Sequence, residues 1–96
     1  MTDTRPLTPE ILLNAGWKLN QSKPIYTDYV KDLGINAGSF LSVMFWKSSN
    51  PYVQIDVNVD EDDRKTKRMT VVLYRQITVN ELNTLLTIMG FVEYTI

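Results

Sequence analysis

A helix with clear signals at its start is the feature that most constrains this chain. Thr78 is a favoured N-cap residue, and Glu81 follows three positions later, where its carboxylate can reach the backbone N–H of the cap. Ile77 and Leu82 are spaced to form a hydrophobic staple across the same end. The pattern predicts a C-terminal helix over residues 78–89.

The apolar residues of this helix recur at helical spacing and form one stripe: Val79, Leu82, Leu85, Leu86 and Met89. Gly90 suits the left-handed residue that ends a helix, and Phe91 can fold back onto the last turn. Asn83 falls on the opposite face, so we expect its substitution to be tolerated. Because an apolar stripe must be covered and most other segments are β-prone, we predict a helix packed on a sheet.

The N-terminal region repeats this pattern on a smaller scale. Residues 1–6 are expected to be a loose leader, and Thr8 then caps a short helix over 8–15 with Pro9 at its first position. Gly16 ends the helix, and Trp17 can fold back as Phe91 does.

The remaining segments predict strands, with the clearest alternation over residues 52–59 and an apolar, central strand over 40–46. Residues 31–39 are expected to form a loop, and 60–68 a charged connection that joins an antiparallel hairpin. The other predicted strands cover 17–20, 25–30, 69–75 and 91–96. The order predicts one α+β domain over residues 1–96, with a mostly antiparallel sheet of about five strands and two helices on it.

Composition excludes several kinds of site. The chain has neither histidine nor cysteine, so it lacks the commonest general base and metal ligand and cannot build a thiolate zinc site. It carries no Gly-x-Ser-x-Gly motif and no glycine-rich phosphate loop. We therefore expect no enzyme activity, catalytic residue, cofactor or metal. Short apolar runs indicate no membrane association and a cytoplasmic protein.

The charged connection supports three interpretations. Asp60-Glu61-Asp62-Asp63 precedes Arg64-Lys65-Thr66-Lys67-Arg68, and opposite charges so close together favour a solvated hairpin tip. The acidic half could bind Mg²⁺ or Ca²⁺, although it lacks the glycine and distal glutamate of an EF-hand loop. The basic half could contact phosphates through Arg64, Lys65, Lys67 and Arg68, but the adjacent carboxylates would repel them.

Aromatic residues are the second group of candidates. On one exposed sheet face they could stack on unpaired bases or sugar rings. No RNA-binding signature surrounds them, and strand aromatics usually serve as core or cross-strand partners. Those on predicted strands are Tyr26, Tyr29, Phe40, Phe45, Trp46, Tyr52 and Tyr74.

The stretch Leu-Thr-Pro-Glu-Ile-Leu-Leu-Asn-Ala-Gly-Trp-Lys, residues 7–18, resembles the opening of small uncharacterised proteins common in gut anaerobes, their phages and mobile elements. In that group a Thr-Pro-Glu-x-Leu start precedes Gly-aromatic-Lys, a β-rich middle and a late helix with a Glu-Leu pair, which Glu81-Leu82 matches. The resemblance covers the two ends of the chain and implies an accessory protein of a bacterial or prophage genome. It implies no particular activity.

Together these observations favour a non-enzymatic protein-interaction module with a protein partner or a second copy of itself. The alternative is a nucleic-acid-binding accessory protein that uses residues 64–68. The formal net charge of −1 disfavours it. A divalent-metal enzyme that uses Asp60–Asp63 is the third hypothesis.

Overall fold

The computed structural model describes residues 3–33, 39–47, 51–62 and 65–96, with the backbone alone for 60–62 and 65–67. The helices are α1 (Pro9–Asn14), α2 (Val79–Ile88) and a short 3₁₀ helix (Val92–Tyr94). The strands are β1 (Lys18–Ser22), β2 (Tyr26–Asp32), β3 (Phe40–Trp46), β4 (Tyr52–Asp62) and β5 (Lys65–Leu73). The predicted α+β class is confirmed.

The strands form one five-stranded sheet in the order β1-β2-β3-β4-β5, and each neighbouring pair is antiparallel. The predicted central position of β3 and the predicted pairing of β4 with β5 are therefore confirmed. Because chain order and sheet order coincide, β1 and β5 are the two edge strands.

The core lies between the helices and one face of the sheet. Strand alternation sends Leu41 and Val43 of β3 and Ile55 of β4 to that face, where all three are fully buried. Leu82 and Leu86 of α2 belong to the same buried cluster. The stripe predicted on α2 is thus confirmed as its packing face.

Local hydrogen bonds hold both ends of α2 as predicted. The Glu81 N–H donates to Thr78 Oγ1 at 3.2 Å, and the Thr78 N–H donates to Glu81 Oε1 at 3.0 Å, which completes a capping box. At the other end Gly90 has φ +90°, and the Phe91 N–H donates to Leu86 O at 2.7 Å. These bonds satisfy backbone groups that a helix end leaves unpaired.

Helix α1 ends in the same way. Gly16 has φ +91°, and the Trp17 N–H donates to Leu12 O at 3.0 Å. Trp17 is buried in the core, so the residue that follows the helix also holds α1 against the sheet.

The prediction of a charged connection over 60–68 is wrong for most of its length. Strand β4 continues to Asp62, and β5 begins at Lys65. Backbone pairing between the strands, including Val59 with Lys67 and Asp60 with Thr66, extends the ladder through residues whose composition suggested a loop. Inter-strand hydrogen bonds form irrespective of side-chain charge, which explains the error.

The predicted loose leader is also wrong for residues 3–6. The backbone carbonyls of Arg5 and Asp3 accept from the N–H groups of Val79 and Asn80, each at 2.9 Å, and so satisfy the first donors of α2. Pro6 forms an isolated bridge with Thr78.

Two further boundaries differ from the prediction. The expected last strand over 91–96 does not form; the segment contains the 3₁₀ helix Val92–Tyr94, in which the Tyr94 N–H bonds locally to Phe91 O at 3.0 Å. Part of the loop expected over 31–39 belongs to β2, which runs to Asp32. Residues 34–38 of that loop lie outside the described part of the chain.

Candidate functional site

The helices cover one face of the sheet and leave the other, here called the open face, as the candidate site. Every second residue of each strand contributes a side chain to the open face. Because alternation places the core residues Leu41 and Val43 on the helix side, Ser42 and Trp46 of the same strand belong to the open face.

Four aromatic side chains cross one end of the open face and are here called the aromatic row: Tyr26, Trp46, Tyr52 and Tyr74. The ring centroids of Tyr26 and Trp46 are 4.7 Å apart, and those of Trp46 and Tyr52 are 5.5 Å apart and nearly parallel. Tyr74 extends the row, with its centroid 5.7 Å from that of Tyr52.

The strand register builds this row. Trp46 of β3 lies opposite Tyr26 of β2 on one side and opposite Tyr52 of β4 on the other. Val53 pairs with Leu73, so Tyr74, one residue beyond β5, comes beside Tyr52. Directly opposed aromatic pairs stabilise antiparallel sheets, so the row contributes to the fold as well as to the surface.

Contacts between neighbouring rings occupy part of the ring surface within the aromatic row. Trp46 and Tyr52 each have a neighbouring ring on both sides, so their faces are partly occupied within the row. Stacking on bases or sugars needs a free ring face. Tyr74 ends the row and is 79% exposed, so it is the member most available to a partner.

The other predicted aromatic candidates have different positions. Tyr29 and Phe45 lie on the core side, where their rings meet edge to face with centroids 5.9 Å apart. Phe40 is half-buried at the far end of β3. The aromatic residues therefore divide between the core and the open face according to strand alternation.

Polar residues next to the row satisfy one another. Asp28 is buried on the open face, where its carboxylate accepts from the Ser42 hydroxyl and from the Asn20 amide at 2.9 Å. The Gln54 amide donates to both carboxylate oxygens of Asp56, at 3.1 and 3.0 Å. These contacts compensate the desolvation of the buried groups, which is the usual requirement for burying them.

Exposed apolar side chains lie along the β5 edge. Met69 and Val72 on this strand are exposed, and Tyr74 follows directly. The outer side of β5 has no neighbouring strand among the described residues. An edge strand with exposed apolar side chains is a template for pairing with another chain.

The sequence-predicted basic residues lie on or beside this edge. Arg64 lies outside the described part of the chain. The backbones of Lys65 and Lys67 belong to β5, and their side chains are not described. Arg68 is exposed, and its Nε–H donates to Asn58 Oδ1 on β4 at 3.1 Å. The structure therefore places three of the four on one strand, without describing a shared phosphate site.

The acidic half of the charged segment belongs to the end of β4. Asp60 and Asp62 are placed by their backbones, and Asp63 lies outside the described part. Within the described residues, no group of three or more acidic residues could hold a metal ion. The side chains of 60–63 lie outside the described part of the chain, so the metal hypothesis stays a prediction.

Comparisons of the chain with protein-family models, with curated proteins and with solved structures find no match. In the described part of the chain, no helix has the length and apolarity needed to cross a membrane. The candidate site therefore has to be interpreted from its own chemistry.

Proposed function

We propose that this protein is a non-enzymatic protein-interaction module that binds a second copy of itself through the β5 edge and the adjoining end of the aromatic row. The observation that carries this proposal is the coincidence of a free strand edge with exposed Val72 and Tyr74 on one side of it. The resemblance of residues 7–18 further supports a role as a cytoplasmic accessory protein of a bacterial or prophage genome.

Pairing through the β5 edge would combine backbone hydrogen bonds with burial of apolar side chains. Backbone N–H and C=O groups on the outer side of β5 can complete a ladder with another strand, and the exposed side chains can bury apolar surface. Exposed aromatic residues such as Tyr74 are enriched at protein interfaces because they combine a large apolar area with a polar hydroxyl.

The distribution of charge along β5 favours antiparallel pairing of two copies. Basic residues occupy its N-terminal half, whereas its C-terminal half, Met69 to Leu73, is apolar except for Thr70. Pairing centred on Val71 would place the two Arg68 residues about 20 Å apart at ~3.3 Å per residue. This separation exceeds the Debye length of ~8 Å at physiological salt, so their repulsion would be largely screened.

Analytical ultracentrifugation tests the proposal directly. The wild-type chain, 11.1 kDa as a monomer, should sediment with a mass that rises toward twice this value across the micromolar range. A Val72→Thr/Tyr74→Ser variant should remain monomeric over the same range, because it loses the exposed apolar contact and keeps the buried core.

Ile88→Ser provides the matched control. Ile88 is 75% exposed and apolar, but it lies on α2, away from the β5 edge. The control should dimerise as the wild type does. A wild-type protein that stays monomeric at high micromolar concentration, or a control that dissociates like the double variant, would contradict the proposal.

A further inference from the structure

We infer that a cavity at the end of the sheet binds a small apolar monocarboxylate, such as a medium-chain fatty acid. The cavity has a volume of about 620 Å³. This size falls within the range of small-molecule sites in proteins. The cavity shares Trp46 and Tyr52 with the aromatic row, but Val72 and Tyr74, which the dimer test changes, do not line it, so the two proposals are tested by different variants.

Apolar side chains provide most of the lining. Leu7 and Val53 are core residues, and Phe45, Trp46 and Tyr52 are half-buried. Apolar surface in contact with water is unfavourable, at roughly 25 cal/mol per Å². A hydrocarbon chain would cover it, which selects a ligand with an apolar body.

The charged lining residues are cationic. Lys47 and Arg75 both line the cavity, and among its described lining residues none is acidic. The Arg75 guanidinium is already engaged by Glu81 and by Gln76 O, at 3.0 and 3.1 Å. The Lys47 side chain has no hydrogen bond or ion pair within the described part of the chain, so its ammonium group is available to an anion.

Lys47 determines the polar end of the ligand. An ammonium group only donates hydrogen bonds, and an ionised carboxylate, which only accepts them, is the complementary group. The Trp46 side chain lines the same cavity, and its indole N–H is buried and has no acceptor among the described residues.

Titration with octanoate and its neutral analogue octanamide tests the inference. Octanoate should bind saturably below millimolar concentration, and octanamide about tenfold more weakly because it lacks the charge-assisted bond. Lys47→Gln should weaken octanoate binding by about tenfold and leave octanamide binding unchanged. Lys23→Gln, at another exposed lysine, should behave as the wild type does.

Nuclear magnetic resonance locates the site independently of affinity. The chain has two tryptophans, and Trp17 is buried in the core, so octanoate should shift the indole N–H signal of Trp46 and leave that of Trp17 in place. The inference would be overturned if octanoate and octanamide bound with equal affinity, or if Lys23→Gln lost as much octanoate affinity as Lys47→Gln. A change confined to the indole N–H signal of Trp17 would also overturn it. So would the absence of saturable octanoate binding.

Discussion

Hydrogen bonds to Arg75 and Thr78 couple the ionisation of Glu81 to the fold. Bonds from the Arg75 side chain, followed by the Thr78 N–H, lower the pKa of its carboxyl to about 2. A carboxyl whose folded pKa lies below its unfolded value stabilises the native state above the unfolded pKa. The contribution is therefore present above pH ~4.5 and is lost as the pH falls toward 2.

Glu81→Gln tests this coupling. The free energy of unfolding of the wild type should fall more steeply with decreasing pH between 4.5 and 2 than that of the variant. Urea unfolding at a series of pH values measures the difference. Parallel pH profiles for the two proteins would show that Glu81 is not held by Arg75 and Thr78 in solution.

Asn83 makes a contact that the sequence pattern does not indicate. The pattern predicts a tolerant position on the far face of α2, whereas the Asn83 side chain donates to Ile96 O at 3.1 Å and accepts from the Ile96 N–H at 2.8 Å. The amide thus holds the C-terminal residue against α2. No local pattern encodes this contact, because the partner lies thirteen residues away in a segment predicted as strand.

Asn83→Ala should therefore destabilise the protein by about 1–2 kcal/mol, since it removes two hydrogen bonds. Thr87→Ala, at an exposed position on the same helix, should change the free energy of unfolding by no more than ~0.5 kcal/mol. Urea melts of both variants provide the comparison. Equal effects would contradict a specific role for the Asn83–Ile96 contact.

At the scale of single elements, the sequence predicts those features that depend on interactions between neighbouring residues, such as helix ends. The capping box at Thr78 and the glycine ends at Gly16 and Gly90 depend on residues a few positions apart, and all three were located correctly. The extent of β4 and β5 was not predicted, because their ladder depends on pairing between strands and continues through charged residues.

The packing of α2 yields a prediction at this scale. Leu86 is fully buried, so Leu86→Ala should cost about 2–5 kcal/mol of unfolding free energy through lost apolar burial and the cavity that remains. Ile88→Ala, two positions away and exposed, should stay within ~0.5 kcal/mol of the wild type. Chemical denaturation distinguishes them, and similar losses would refute the packing of α2 through its predicted stripe.

For the whole molecule, the fold class could be predicted but the site could not. Tyr26, Trp46, Tyr52 and Tyr74 were each recognised as strand aromatics, yet only the register brings them into one row. Register depends on the complete sheet, because a shift of one residue moves every side chain to the other face. The free β5 edge likewise emerges only when the strand order is known.

Two features of the open face, contacts between its aromatic rings and charges of both signs, disfavour the nucleic-acid alternative. The inner rings of the aromatic row already contact one another, and buried Asp28 lies on the same face as Arg68. Phosphate binding gains most of its affinity from clustered cations. The described residues of the open face provide both signs of charge, which suits a protein partner better than a polyanion.

Cysteine cross-linking tests the central claim, pairing of two β5 edges, most directly. The chain has no cysteine, so Val71→Cys introduces a single thiol at the centre of the proposed pairing, and Thr84→Cys places one on the exposed side of α2. Antiparallel pairing centred on Val71 places the two residues 71 directly opposite each other, with Cα atoms about 4.5–5.5 Å apart, which lies within the range of about 4.4–6.8 Å that disulfides need. At micromolar protein under mild oxidation, Val71→Cys should form a covalent dimer about tenfold faster than Thr84→Cys. Equal rates for the two variants would contradict pairing through β5.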